Sequence, residues 1–63
     1  MNAFETLLDQ IVLVKTRAGK TSSGRLIALH GCFAEFEHRN GARSLIAYDQ
    51  IAEMAEIPYG GRA

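Results

Sequence analysis

Three side chains near the middle of this chain, His30, Cys32 and His38, are of the types that ligate zinc or build a thiol–imidazole pair. They complete neither constellation. There is no fourth ligand at matching spacing and no Cys-x-x-Cys pair, and a single cysteine in a β-rich stretch reads as a small hydrophobe. Glu35 and Glu37, two apart, invite an acid/base reading. Alternation along a strand puts both on one exposed face, where carboxylates solubilise, and a chain of 63 residues has little room for a pocket around them. No catalytic residue, metal or cofactor is therefore expected, and the chain reads as a non-enzyme. What remain are residues that could bind. Phe33 and Tyr48 offer aromatic faces, each worth about 1–3 kcal/mol when a base stacks on it, although a small core would also claim Phe33. Lys15, Arg17, Lys20 and Arg25 could neutralise phosphates.

Those four cations are the only charges between residues 10 and 34, so a net charge of zero conceals partial sums of −2 over residues 1–9, +4 over 10–34 and −2 over 35–63. Zero net charge excludes a clamp on nucleic acid that works through bulk charge. It leaves room for a local basic rim, because symmetry in an oligomer would repeat each basic edge around an axis. Alternation predicts Lys15 and Arg17 on one face of a strand, with Lys20 and Arg25 flanking the turn that follows.

The elements that would position these side chains are short. Phe4, Leu7, Leu8 and Ile11 follow the i, i+3, i+4, i+7 spacing of an amphipathic α-helix over about residues 2–10, with Asn2 and Glu5 placed as a capping box. So short a helix is not stable alone and must dock on a sheet. Five strands are expected after it: Ile11 to Ala18, Thr21 to Leu29, Phe33 to His38, Ala42 to Tyr48 and Ile51 to Ile57. Gly24 inside the second strand predicts a bulge or sharp bend, and Asn40-Gly41 predicts a two-residue type I′ hairpin turn. Pro58 should end the last strand, with residues 59–63 as a flexible tail beyond a single domain of residues 1–58. A helix followed by five short strands predicts a mainly β domain, a small and strongly bent antiparallel barrel.

Size is the physical difficulty. A domain of this length buries only about 60% of the surface its unfolded chain exposes. One cysteine cannot form an internal disulfide, which suits a reducing, cytoplasmic setting and leaves assembly as the means of support. Leu45, Ile46, Ile51, Met54 and Ile57 occupy both faces of the last two strands and are the expected subunit interface. Apolar runs of four residues, Ile11 to Val14 and Leu26 to Leu29, exclude a helical bilayer span, and Glu5 and Asp9 without a basic residue exclude a signal peptide over the first ten residues.

At this level the chain resembles the Sm-like (LSm and Hfq-like) family of small β-barrels. The resemblance covers residues 4 to 57. It rests on the N-terminal helix, on Gly19-Lys20-Thr21-Ser22-Ser23-Gly24-Arg25-Leu26 as the G-x-x-x-x-G-x-L stretch, and on Ile46-Ala47-Tyr48-Asp49-Gln50-Ile51 as the turn after the Asn-Gly hairpin. It implies a homo-oligomeric ring of about five to seven subunits, closed through the last two strands, that binds single-stranded RNA without an enzymatic step. His30, Phe33 and Tyr48 would line the inner rim, with Lys15, Arg17, Lys20 and Arg25 on phosphates. The chain departs from the family pattern where an aspartate usually follows the second strand, here His30, and where a cation usually occupies the turn, here Tyr48-Asp49. A carboxylate there would repel phosphate. The Asp-x-Ile turn also resembles the Rof family of Sm-fold proteins, which bind a transcription termination factor. On that reading Glu35, Glu37, Asp49, Glu53 and Glu56 would form an acidic patch for a basic protein partner.

Overall fold

The computed structural model describes residues 3–57; the expected cap at Asn2, the strand stop at Pro58 and the tail of 59–63 lie outside the described residues. A 3-10 helix, Ala3–Leu7, precedes β1 (Ile11–Thr16), β2 (Thr21–Leu29), β3 (Phe33–Glu37) and β4 (Arg43–Ala47). A second 3-10 turn, Tyr48–Gln50, then leads into β5 (Ile51–Glu56). All five expected strands form, each within two residues of its expected ends.

The strands make one antiparallel sheet in the order β4-β3-β2-β1-β5. Its core follows from alternation. Val12 and Val14 of β1, Leu26 of β2, Ala34 and Phe36 of β3 and Ile51 of β5 are buried together, while their neighbours in sequence point outward. Phe4, Leu7 and Leu8 pack against this cluster from the N-terminal segment, as do Leu29, Ile46, Tyr48 and Met54.

Two expectations are corrected. The N-terminal α-helix is a 3-10 helix of five residues, because Asp9, at φ 68, turns the chain away and its amide is drawn to the carbonyl of Leu26 at 2.7 Å. Too few residues remain to offset the cost of nucleating an α-helix, although the apolar spacing still delivers Phe4, Leu7 and Leu8 to the core. The barrel is not closed: β4 and β5 are the two outer strands of the sheet and do not pair with each other. Both therefore present backbone donors and acceptors along an outer edge.

The turns differ from expectation in an instructive way. Both tight hairpins use one device, a turn closed by an i+3 to i hydrogen bond whose donor is a glycine at positive φ. Gly19 donates to Thr16 at 2.9 Å and Thr16 to Lys20 at 2.8 Å; Gly41 donates to His38 at 2.9 Å and His38 to Ala42 at 2.8 Å. Gly19 and Gly41 have φ of 91° and 88°, whereas Asn40 is not at positive φ, so the Asn-Gly pair makes a three-residue loop with a glycine bulge in place of a type I′ turn. The Asn40 side chain contributes by accepting the Ala42 amide at 2.9 Å.

The irregularity expected at Gly24 falls between Leu26 and Ala28 instead, with a second one between Lys15 and Thr16. Gly24 has a different function: a Cβ there would lie 3.0 Å from the Glu37 carbonyl oxygen and 3.3 Å from His38 Nδ1. Gly24→Ala is accordingly expected to destabilise the chain by about 1–3 kcal/mol, since a backbone carbonyl cannot swing aside as a side chain would. Urea unfolding measures it, and a midpoint equal to the parent's would contradict the close approach.

Candidate nucleic-acid interface

The link between β2 and β3 and the 3-10 turn before β5 meet at one end of the sheet, where the Tyr48 amide donates to the Cys32 carbonyl at 3.0 Å. This junction brings together His30, Phe33 and Tyr48, the three residues expected on the rim. The Tyr48 hydroxyl donates to the His30 carbonyl at 2.7 Å, and the His30 and Phe33 rings meet edge to face with centroids 5.5 Å apart. Phe33 is half-buried and lies outside the core cluster, on the outward face of β3 opposite Ala47. Tyr48 is shared: it packs on the core and tilts against Phe4 at a centroid distance of 5.9 Å.

The basic residues divide. Arg17 reaches this same end, where its Nε–H donates to the Asp49 carbonyl at 2.6 Å and its amide to Gln50 at 2.9 Å. The turn, which carries no cation of its own, thus receives one from 32 residues earlier in the chain. Alternation could not show this. The register shift between Lys15 and Thr16 breaks the phase that would have put Lys15 and Arg17 on one face, and β1 ends at Thr16. Lys20 belongs to the same hairpin loop, its amide donating to Thr16 Oγ1 at 3.2 Å, and Lys15 stands opposite Glu53 of β5. Arg25 is elsewhere. It pairs with Ile11 at the far end of the β1–β2 ladder, four residues and about 13 Å from the Lys15–Thr21 pair.

His30 is also held from its other side, since Nε2–H donates to Glu35 Oε1 at 2.9 Å. Arg43 approaches both acids of β3, with Nη1 3.6 Å from Glu35 Oε2 and Nη2 3.9 Å from Glu37 Oε2. The His30 hydrogen bond holds the Glu35 carboxyl below the ordinary carboxylate range; partial desolvation opposes the shift, and the charges of His30 and Arg43 reinforce it. A carboxyl whose pKa is depressed on folding contributes stability above its unfolded pKa and loses it as pH falls through the folded value. Glu35 should therefore titrate below the ordinary carboxylate range when its side-chain carboxyl is followed by NMR, and Glu35→Gln should flatten the acid limb of the stability profile. Titration of Glu35 within the ordinary range would contradict this.

The other candidates take structural positions. His38 donates from Nδ1 to the Ser23 carbonyl at 3.1 Å, which leaves Nε2 to accept from Ser44 Oγ at 2.8 Å, so one ring ties β2 to β4. Cys32 is exposed and forms no disulfide. Among the described residues no three His, Cys, Asp or Glu side chains are grouped to hold a metal ion, and no helix is long and apolar enough to cross a membrane. The acidic residues do not gather either: Glu35 and Glu37 lie beside Arg43 on β3, whereas Glu53 and Glu56 are on β5, separated from them by β2 and β1. Of the five apolar residues expected at a subunit interface, Ile51 is core and Ile46 and Met54 pack on it; Ile57 is half-buried, and Leu45, 57% exposed on β4, faces outward.

Comparison with protein-family models, with curated proteins and with solved structures finds no match to this chain.

Proposed function

We propose that this chain is a non-enzymatic, Sm-like RNA-binding protein that assembles into a homo-oligomeric ring and takes single-stranded RNA on the end of the sheet formed by His30, Phe33 and Tyr48. The observation that carries the reading is the placement of Arg17 against the Tyr48–Gln50 turn, 2.6 Å from the Asp49 carbonyl, beside those rings. Aromatic faces with an adjacent guanidinium are what single-stranded nucleic acid requires, a stacking surface for bases and a cation for the phosphates between them. Lys15 and Lys20 extend the basic side of this surface. Arg43 and His30 on the β3 carboxylates, and the separation of these from Glu53 and Glu56, favour RNA over the acidic-patch reading in which the chain docks on a basic protein such as a termination factor.

Assembly follows from the two open edges. β4 on one side and β5 on the other are complementary antiparallel edges at opposite ends of one sheet, and pairing β4 of one protomer with β5 of the next closes a ring if the rotation is regular. The exposed Leu45 would be covered at that junction. Analytical ultracentrifugation at micromolar concentration tests this step: a single species of several protomers is expected, and a monomer throughout would overturn the ring.

A further inference from the structure

The far end of the sheet carries a second basic feature that the RNA surface does not use. A cavity of about 510 Å³ opens between the N-terminal end of β1, the middle of β2 and the β3–β4 hairpin, and both Arg25 and Arg39 line it. A smaller cavity of about 260 Å³, lined by Asp9, Gln10 and Ile57, adjoins it through Ile11 and Arg25. Neither guanidinium has a hydrogen-bond or ion-pair partner among the described residues, in contrast to Arg17 and Arg43.

The walls of the larger cavity are held in place. His38, which lines it, is fixed by Ser23 on one side and Ser44 on the other. Gly24 keeps its floor low, since a side chain at that position would press on Glu37 and His38. The one carboxylate on the lining, Glu37, has Arg43 Nη2 3.9 Å away on the outer face of β4, which offsets its charge. Two forked, unpartnered cations around a pre-formed concavity that Ser23 also lines suit a compact oxyanion with several acceptor oxygens.

We propose that the Arg25–Arg39 cavity is a phosphate-binding site, distinct from the aromatic surface at the opposite end of the sheet. The group recognised is a phosphate, either free or carried on a nucleotide. Arg25 and Arg39 supply charge-assisted hydrogen bonds, and His38 and Gly24 set the shape of the cavity.

The test is a 15N NMR titration of the full chain with inorganic phosphate and, separately, with adenosine 5′-monophosphate, each at ionic strength matched with chloride. Saturable shifts concentrated at the amides of Ser23, Gly24, Arg39 and Gly41 are expected. Arg25→Ala and Arg39→Ala should each weaken binding about tenfold with the rest of the spectrum unchanged, and Arg25→Lys should recover only part of the loss. Tighter binding of the nucleotide than of inorganic phosphate assigns the group to a nucleotide; equal binding assigns it to free phosphate. Phe33→Ala, outside the core cluster, should leave this titration unaltered whatever it does to RNA binding, so failure of one site is not failure of the other. Shifts that do not saturate, that spread equally over Lys15 and Lys20, or that survive both arginine substitutions would overturn the site.

Discussion

Replacing Phe36 by alanine is expected to remove about half or more of the stability of the chain, and at the lower end of its range to unfold it in water. Phe36 is among the largest fully enclosed side chains, 2% exposed, and sits in the middle strand of three, opposite Leu26 of β2 and Ser44 of β4. Truncating a buried phenylalanine costs about 3–5 kcal/mol, the lost transfer energy plus the cavity left behind. At about 0.05–0.15 kcal/mol per residue a chain of this length has only about 3–9 kcal/mol to lose. The buried core is only six residues, so the void would fall among most of its members and could be filled only by movement of the half-buried side chains packed around it. Circular dichroism with urea titration reads the effect. Phe36→Leu, which keeps most of the volume, should retain the fold with a loss of about 1 kcal/mol. A folded Phe36→Ala protein with an unchanged midpoint would mean that the sheet does not rest on this cluster.

The second large effect is on binding. Phe33→Ala and Tyr48→Ala should each weaken single-stranded RNA by about 1–3 kcal/mol, roughly five- to 150-fold, if each ring carries a base. The two residues are not equivalent. Phe33 is outside the core cluster, so its removal should be felt in RNA affinity with little change in the unfolding midpoint. Tyr48 packs on Phe4 and on the core as well, so Tyr48→Ala should lower stability too. Tyr48→Phe separates the contributions, because it deletes the 2.7 Å hydrogen bond to the His30 carbonyl and keeps the stacking face. RNA affinity should then stay within about threefold of the parent's, since one exposed hydrogen bond contributes modestly. Fluorescence anisotropy with U-rich and A-rich oligomers measures all three. Unaltered affinity in Phe33→Ala would remove that ring from the interface.

The elements proved more legible than their junctions. Alternating and β-branched residues between turn signals mark all five strands, because side-chain period is a local property of the backbone, whereas the joining of Val12, Val14, Leu26, Ala34 and Phe36 into one core emerges only from the strand pairing. Phe4, Leu7 and Leu8 were rightly read as a packing stripe, but their spacing suits a 3-10 turn as well as an α-helix when only five residues are involved. What ended that helix was a hydrogen bond from Asp9 to a strand residue 17 positions later, which no local pattern carries. The site was legible in the same uneven way. His30, Phe33 and Tyr48 could be grouped because the β2–β3 link and the last turn fall at one end of any five-strand meander. Arg17 on the Asp49 carbonyl could not be foreseen: it depends on a register shift at Lys15, which moves the arginine off its expected face. Arg25 shows the converse. Proximity in sequence to Lys20 placed it on the same rim, whereas the length of β2 carries it to the opposite end of the molecule.

The central claim is that Arg17, with Lys15 and Lys20, puts phosphate-neutralising charge beside the aromatic surface, and its most direct measurement is the affinity of the full chain for a single-stranded U-rich oligomer across a salt series. Three phosphate contacts per protomer predict a slope of about −2 in log affinity against log salt, which Arg17→Ala should make shallower by about 0.7. Absence of saturable binding at low salt, or an affinity indifferent to both salt and Arg17→Ala, would contradict it.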